Sequence, residues 1–371
     1  MSRNDFRRRQ AQRQRRKLVR HLPIILALFL AFSALAAGVF ALTRFVLNRQ
    51  PISSASASSS TAKTTSEDPA QPISSPASGT LAQAAYIAAG YDYDRAIALI
   101  KEDSSLAEDP AALEAITSYE EAKASLLPAD VQNVPHVFFH SLIMDTAKAF
   151  DGDSRTPGYN SVMTTKDEFL KMLDAFYEDG YVLVRIRDIA SETTDENGNT
   201  VFSWGEILLP EGKKPLVMSQ DDVCYYPYME KDGFARRIVI GEDGKPTAEM
   251  VMEDGSISTG PYDLIPILED FIEEHPDFSY KGARAIIAFT GYEGILGYRT
   301  AASYSDSPNY EQDREQAAKV AQCLKDNGWE LASHSWGHLW MGVSSVPGET
   351  FKISDERFYT DQDKWEAEVE S

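Results

Sequence analysis

Pro215-Leu216-Val217-Met218-Ser219-Gln220-Asp221-Asp222 is a short apolar run that ends in two adjacent carboxylates. Its apolar half reads as a buried strand, with the acid pair at the C-terminal tip. Neighbouring acids repel and lose hydration when enclosed, so such a pair needs a cation or a proton to hold it. Asp-Asp is also common in turns, and the pair alone decides nothing. A second strand-like run, Trp329-Glu330-Leu331-Ala332, leads into Ser333-His334-Ser335-Trp336-Gly337-His338. One strand tip with Asp-Asp and another with His-x-x-x-His make a metal site.

The surroundings have an α/β pattern. Residues 134–140 read as a strand with His136, Phe138 and His140 on one face. Thr165-Lys166-Asp167-Glu168 is a capping box opening a helix with Phe169, Leu170, Leu173 and Phe176 inward, and Gly180 stops it. A strand is expected at 181–186, a β-hairpin over 234–258, a helix at 262–274, a strand at 283–289 and a helix at 310–327 closed by Gly328. Residues 361–369 read as a helix burying Trp365 and Val369. Strands alternating with helices imply a mainly parallel sheet or barrel. The Gly- and Tyr-rich segment Gly291-Tyr292-Glu293-Gly294-Ile295-Leu296-Gly297-Tyr298 is a candidate substrate loop, and Trp336 either walls the cleft or packs under its own loop. His140 either lines the cleft or is structural, while His136 and His275 are expected to be structural.

Upstream, charge is unevenly spread. Residues 1–50 hold eleven Lys/Arg against Asp5 alone, so with a whole-chain charge of −21 the remainder carries roughly −31. So acidic a body does not grip nucleic acid by general electrostatics; a neutral or cationic substrate, or a metal, suits it better. Residues 1–21 form a basic tail, and 22–47 contain an uncharged stretch from Leu22 to Thr43, long enough for a transmembrane anchor. Basic residues before it set the tail in the cytoplasm and the C-terminal body outside. Ala34-Leu35-Ala36 could be a signal-peptidase site, but apolar residues continue to Leu42, which favours an uncleaved anchor. Residues 48–80, rich in Ser, Ala, Thr and Pro, form a flexible tether. Residues 81–130 read as a helical hairpin, with helices at 81–101 and 110–126, the second burying Leu113, Ile116, Tyr119, Ala122 and Leu126. Residues 131–371 form the α/β domain. Cys224 and Cys323 match neither a disulfide framework nor a zinc motif, and their pairing cannot be read from sequence.

Ser-Gln-Asp-Asp (219–222) and Ser-His-Ser-Trp-Gly-His (333–338) resemble the first two motifs of the polysaccharide deacetylase family, the NodB-homology carbohydrate esterases. The frame is similar too, with an opening strand ending in Phe139-His140-Ser141, then a helix, Gly-Tyr and a strand before the acid pair. The resemblance implies a distorted (β/α) barrel, incomplete at its C-terminal end. It implies Asp221 as general base, and Asp222, His334 and His338 as ligands of zinc or another divalent ion. Histidines four apart suit one face of a helical turn, and two His with one carboxylate leave positions open for water and substrate. The implied activity is hydrolysis of N-acetyl groups on cell-envelope polysaccharide by a membrane-anchored, extracytoplasmic enzyme. The alternative is a non-catalytic glycan-binding or scaffold protein that keeps the fold. Two features depart from the family pattern. Gln220 and Val223 stand where Phe and Gly are usual, and the chain ends 33 residues after His338, before the family's later motifs and their acid histidine. A truncated chain is therefore expected, with its general acid missing.

Overall fold

The helix expected at 81–101 is two helices, α1 (Thr80–Ala89) and α2 (Tyr93–Glu102). Tyr91 between them takes a left-handed φ of 67°, and Asp92 caps α2 by accepting from the backbone N–H of Arg95. Gly90 lies so close to Ser279 that a Cβ would stand 2.9 Å from its carbonyl oxygen, an approach only glycine permits. The expected hairpin is thus a three-helix unit completed by α3 (Pro110–Ala124), around Ala84, Ala88, Ala96, Ile100 and Ala112. The stripe expected on α3 holds only in part. Ile116 and Tyr119 pack on this core, but Leu113 is 52% exposed. The unit is latched to the sheet domain at the Gly90 turn, where Lys281 N–H donates to Gly90 O (2.7 Å) and the Tyr91 hydroxyl to Asp277 O (2.9 Å).

These elements belong to a computed structural model that describes residues 79–340 and 353–370. The basic tail, the anchor at 22–47 and nearly all of the tether lie outside the described residues. Among those described, no helix is long and apolar enough to cross a membrane.

The sheet domain begins with β1 (His136–Phe139). Helix α4 (Lys166–Glu178) follows with the expected reciprocal capping box between Thr165 and Glu168, then β2 (Tyr181–Leu183). A helical turn at Ile186–Ile189 ends β2 earlier than the sequence suggests. The antiparallel pair β3 (Ala190–Thr194) and β4 (Thr200–Trp204) was not expected, although Gly198 with φ 82° marks its turn. Next come the central strand β5 (Lys214–Gln220) and an antiparallel meander, β6 (Arg237–Ile240), β7 (Pro246–Val251) and β8 (Ile257–Gly260), which adds a third strand to the expected hairpin. Then follow α5 (Leu264–Glu274), β9 (Ile286–Phe289), α6 (Tyr310–Asp326), β10 (Glu330–Ser333) and α7 (Asp355–Trp365). α7 begins before the expected 361, where Ser354 accepts from Arg357 N–H as its cap.

The main sheet is parallel, in the order β10-β9-β5-β1, with β2 beside the first half of β5. Val217 N–H donates to Pro135 O while Leu216 O accepts from Val184 N–H. Consecutive strand residues direct their backbone groups to opposite sides, so β1 and β2 flank opposite edges of β5. The barrel expectation is corrected here, because among the described residues the sheet stays open, with β1 and β10 as its edges. Phe138 on β1 is accordingly 59% exposed. β5 is buried on both faces, as a central parallel strand should be. Leu216 and Met218 join the large core with Phe169, Leu173, Leu264 and Trp329, and Val217 joins a second cluster with Val182, Val184 and Tyr280.

Candidate metal centre

Parallel pairing brings the C-terminal ends of β1, β5, β9 and β10 side by side, the usual place for ligands in open α/β sheets. Backbone hydrogen bonds continue past the strands. Asp221 N–H donates to Phe139 O (2.7 Å), Val223 N–H to Ala288 O (3.3 Å), and His334 N–H to Phe289 O (2.7 Å). Trp336 O accepts from both Gly291 and Tyr292 N–H at 3.0 Å, tying the Gly/Tyr-rich loop to the histidine turn.

Three residues at these tips have left-handed backbone, Asp222 (φ 58°), Ser335 (φ 62°) and His338 (φ 50°). Asp and His tolerate that region better than most side chains, and such strain gathers at functional sites. The helical-turn expectation for His334 and His338 is corrected, because the segment is an irregular turn held by Ser335 and His338 in this conformation. It still brings the imidazoles together, with ring centroids 5.1 Å apart.

Asp222, His334 and His338 each offer one ligand atom within 4.8 Å of the others. His334 Nε2 stands 3.8 Å from Asp222 Oδ1, and His338 Nε2 3.5 Å from Oδ2. These separations are too long for hydrogen bonds but near the ~3.4 Å expected between donors sharing a tetrahedral zinc with bonds of about 2.1 Å. Asp222 Oδ1 is buried and has no hydrogen-bond partner among the described residues. A buried carboxylate oxygen left unpaired needs a cation, and imidazole nitrogens are suitable co-ligands. The donor set fits a divalent transition metal.

Asp221, the neighbouring acid, turns elsewhere. Its Oδ1 accepts from the Ser219 hydroxyl (3.1 Å), and Ser219 is 3.0 Å from His136 Nε2. Gln220 is fully buried, and its amide donates to Asp263 Oδ2 (2.8 Å), which also accepts from the Tyr225 hydroxyl. Asp263 Oδ1 accepts from Leu142 and Leu264 N–H, both at 2.8 Å. Burial pushes the Asp263 carboxyl above its ordinary range, and these donors oppose that rise. Gln220 Oε1 is buried without a hydrogen-bond partner among the described residues, and Val223 is buried in the core while the left-handed position falls on Asp222.

Of two further residues at the site, His140 reads from sequence as either cleft-lining or structural, and Asp361 was missed. His140 Nε2 lies 3.9 Å from Asp222 Oδ2, a third imidazole at the same acid. The signal was its place directly after β1, whose Phe139 is in register with Gln220. Asp361 on α7 is almost buried and grips the histidine turn with both oxygens, from Trp336 N–H and Gly337 N–H at 2.7 Å each. Its signal was an acid in step with Trp365 and Val369 at i, i+4 and i+8 on an otherwise apolar stripe.

Rings line the approach. Tyr226 stacks on Tyr228 (5.6 Å between centroids), Tyr292 is 5.6 Å from Tyr226, and Trp336 is 6.3 Å from Tyr292. Burial chiefly pushes the Tyr228 and Tyr292 phenols up, and the charge of Asp222 acts on both in the same sense. Trp336 also packs under Lys364, 4.0 Å from its ring. His275 is structural as expected, against Tyr177 and Phe271. Cys224 and Cys323 are free, buried thiols.

The chain matches no protein-family model, no curated protein and no solved structure.

Proposed function

We propose that this protein is a membrane-anchored, extracytoplasmic, metal-dependent deacetylase acting on N-acetylated polysaccharide, built on an open parallel α/β sheet. The observation that carries the reading is the grouping of Asp222, His334 and His338 within ligand reach of one another beside Asp221, which is hydrogen-bonded to Ser219. Zinc or another divalent ion held by those three residues supplies Lewis acidity at the acyl group of the substrate. Asp221 Oδ1 is occupied by Ser219, and Oδ2 accepts no hydrogen bond among the described residues, so Oδ2 is the atom that takes a proton from the attacking water. Hydrolysis breaks the acyl C–N bond, releases acetate and leaves a free amine on the sugar. The amine needs a proton, and Asp221 can return the one it took from water.

The aromatic run from Tyr228 to Trp336 supports a glycan substrate, since amphipathic rings offer flat apolar faces to sugar rings. An acidic body suits a substrate that is neutral before reaction and cationic after it. The uncharged 22–43 segment motivates the anchor, with the body outside the membrane. The test is acetate release from N-acetylglucosamine oligomers by the zinc-loaded full chain. Release should vanish in Asp221→Asn and in His334→Ala, with bound zinc lost only in the second. The aromatic run equally serves a scaffold that binds glycan without turnover. Stoichiometric zinc and oligomer binding without acetate release would select that second reading.

A further inference from the structure

We propose that Ser219 and His136 are positioning residues for Asp221, a two-link hydrogen-bonded chain that keeps the base separate from the metal ligands. What Asp221 does rests on the deacetylase reading; how it is held rests on geometry alone.

Val217, Ser219 and Asp221 alternate onto one face of β5, and His136 lies in register with Val217 on the adjacent strand. The Ser219 hydroxyl donates its single hydrogen to Asp221 Oδ1 at 3.1 Å. Its oxygen can then only accept from His136 Nε2, 3.0 Å away. That requirement assigns the tautomer, with His136 carrying a hydrogen on Nε2. The main chain of Asp221 is pinned independently by its N–H on Phe139 O. Backbone and side chain are therefore both fixed, and Oδ2 alone is left for chemistry.

The chain has a specific purpose at this tip. Asp221 and Asp222 are adjacent, and a cation attracting one attracts the other. Released from Ser219, the Asp221 carboxylate could swing toward the ion and become a further ligand, exchanging a base for a bond. Ser219 is nearly buried, so water does not readily replace its hydroxyl. His136 orients the serine much as an outer carboxylate orients a ligating histidine, a kind of support whose removal usually lowers activity about 10–100-fold.

Ser219→Ala in the zinc-loaded full chain should lower kcat by about 10–100-fold, with KM for the oligomer and bound zinc unchanged. Ser219→Thr, which restores the hydroxyl, should recover most of the loss, and His136→Gln, which keeps a donor, should exceed His136→Ala. ¹⁵N NMR of histidine-labelled protein should find His136 protonated at Nε2, a preference that Ser219→Ala removes. Wild-type kcat in Ser219→Ala, or a neutral His136 protonated at Nδ1, would overturn the proposal. If the wild type releases no acetate at all, the deacetylase reading fails, while the His136 tautomer and its response to Ser219→Ala still decide whether the chain exists.

Discussion

At the end of β5, Asp263 accepts hydrogen bonds from Leu142 N–H, Leu264 N–H, Gln220 and Tyr225, whereas the carboxylate of Asp222 accepts none among the described residues. Both acids serve the same loop, since the two side-chain donors to Asp263 come from Gln220 and Tyr225, on either side of Asp222. Asp263 is saturated by the fold and has nothing left to offer a ligand. Asp222 is held by backbone strain and faced by three imidazoles at 3.5 to 3.9 Å, so its bonding capacity is kept for something the chain does not supply. Composition does not separate a structural carboxylate from a functional one. What separates them is whether the fold itself satisfies it.

The contrast can be broken by mutation. The largest effect is expected at Asp222 itself. Asp222→Ala should abolish zinc binding and lower acetate release by about a thousandfold or more, matching the several kcal/mol a Lewis acid contributes. Metal analysis and initial rates read it. In the wild type, zinc at a hundred times its Kd should raise stability by about 2.7 kcal/mol, and thermal melts of Asp222→Ala should show no such gain.

Asp263→Ala should do the reverse. Each buried donor left without an acceptor costs about 1–3 kcal/mol, and α5 also loses its cap, so chemical denaturation should show a loss of several kcal/mol. Zinc per folded molecule should stay near wild type. Asp361 stands between these extremes, structurally saturated yet gripping the turn that carries both histidines. Asp361→Ala should weaken zinc affinity about 10–100-fold with a smaller change in Tm, and Asp361→Asn, which keeps one acceptor oxygen, should fall between. Competition with a chromogenic chelator measures it.

The smallest effect is expected at the thiols. Burial pushes Cys224 up to about 12 and Cys323 to about 11, so neither is a thiolate at pH 8. Alkylation at that pH should label neither in the native protein and both in denaturant, with no change in activity.

The elements that frame the metal residues were legible because parallel strands and their helices follow local rules. The apolar run at 215–218, the capping box at Thr165 and the stop at Gly328 each decide their element from a few residues. The Asp222-His334-His338 grouping was legible as well, since strand ends of one sheet share an edge. What was not legible depends on tertiary contact. The break at Gly90 exists because α1 and α2 fold against each other and the turn between them meets Ser279. The histidine turn could be read as helical because spacing does not reveal that Ser335 and His338 take positive φ. Asp361 acquires its role only once α7 lies against a turn more than twenty residues earlier, and His136 only once β1 pairs with β5.

The clamp of Asp361 on the histidine turn also bears on biosynthesis. A ribosome making this chain produces Asp222 long before His334 and His338, and the residue that steadies their turn later still. A nascent chain cannot load its cation early, because the pocket comes into being only when β9, β10 and α7 have docked. A cation at Asp222 would therefore be captured only after α7 has docked, and a chain cut before α7 would keep its acid pair without the steadied histidine turn.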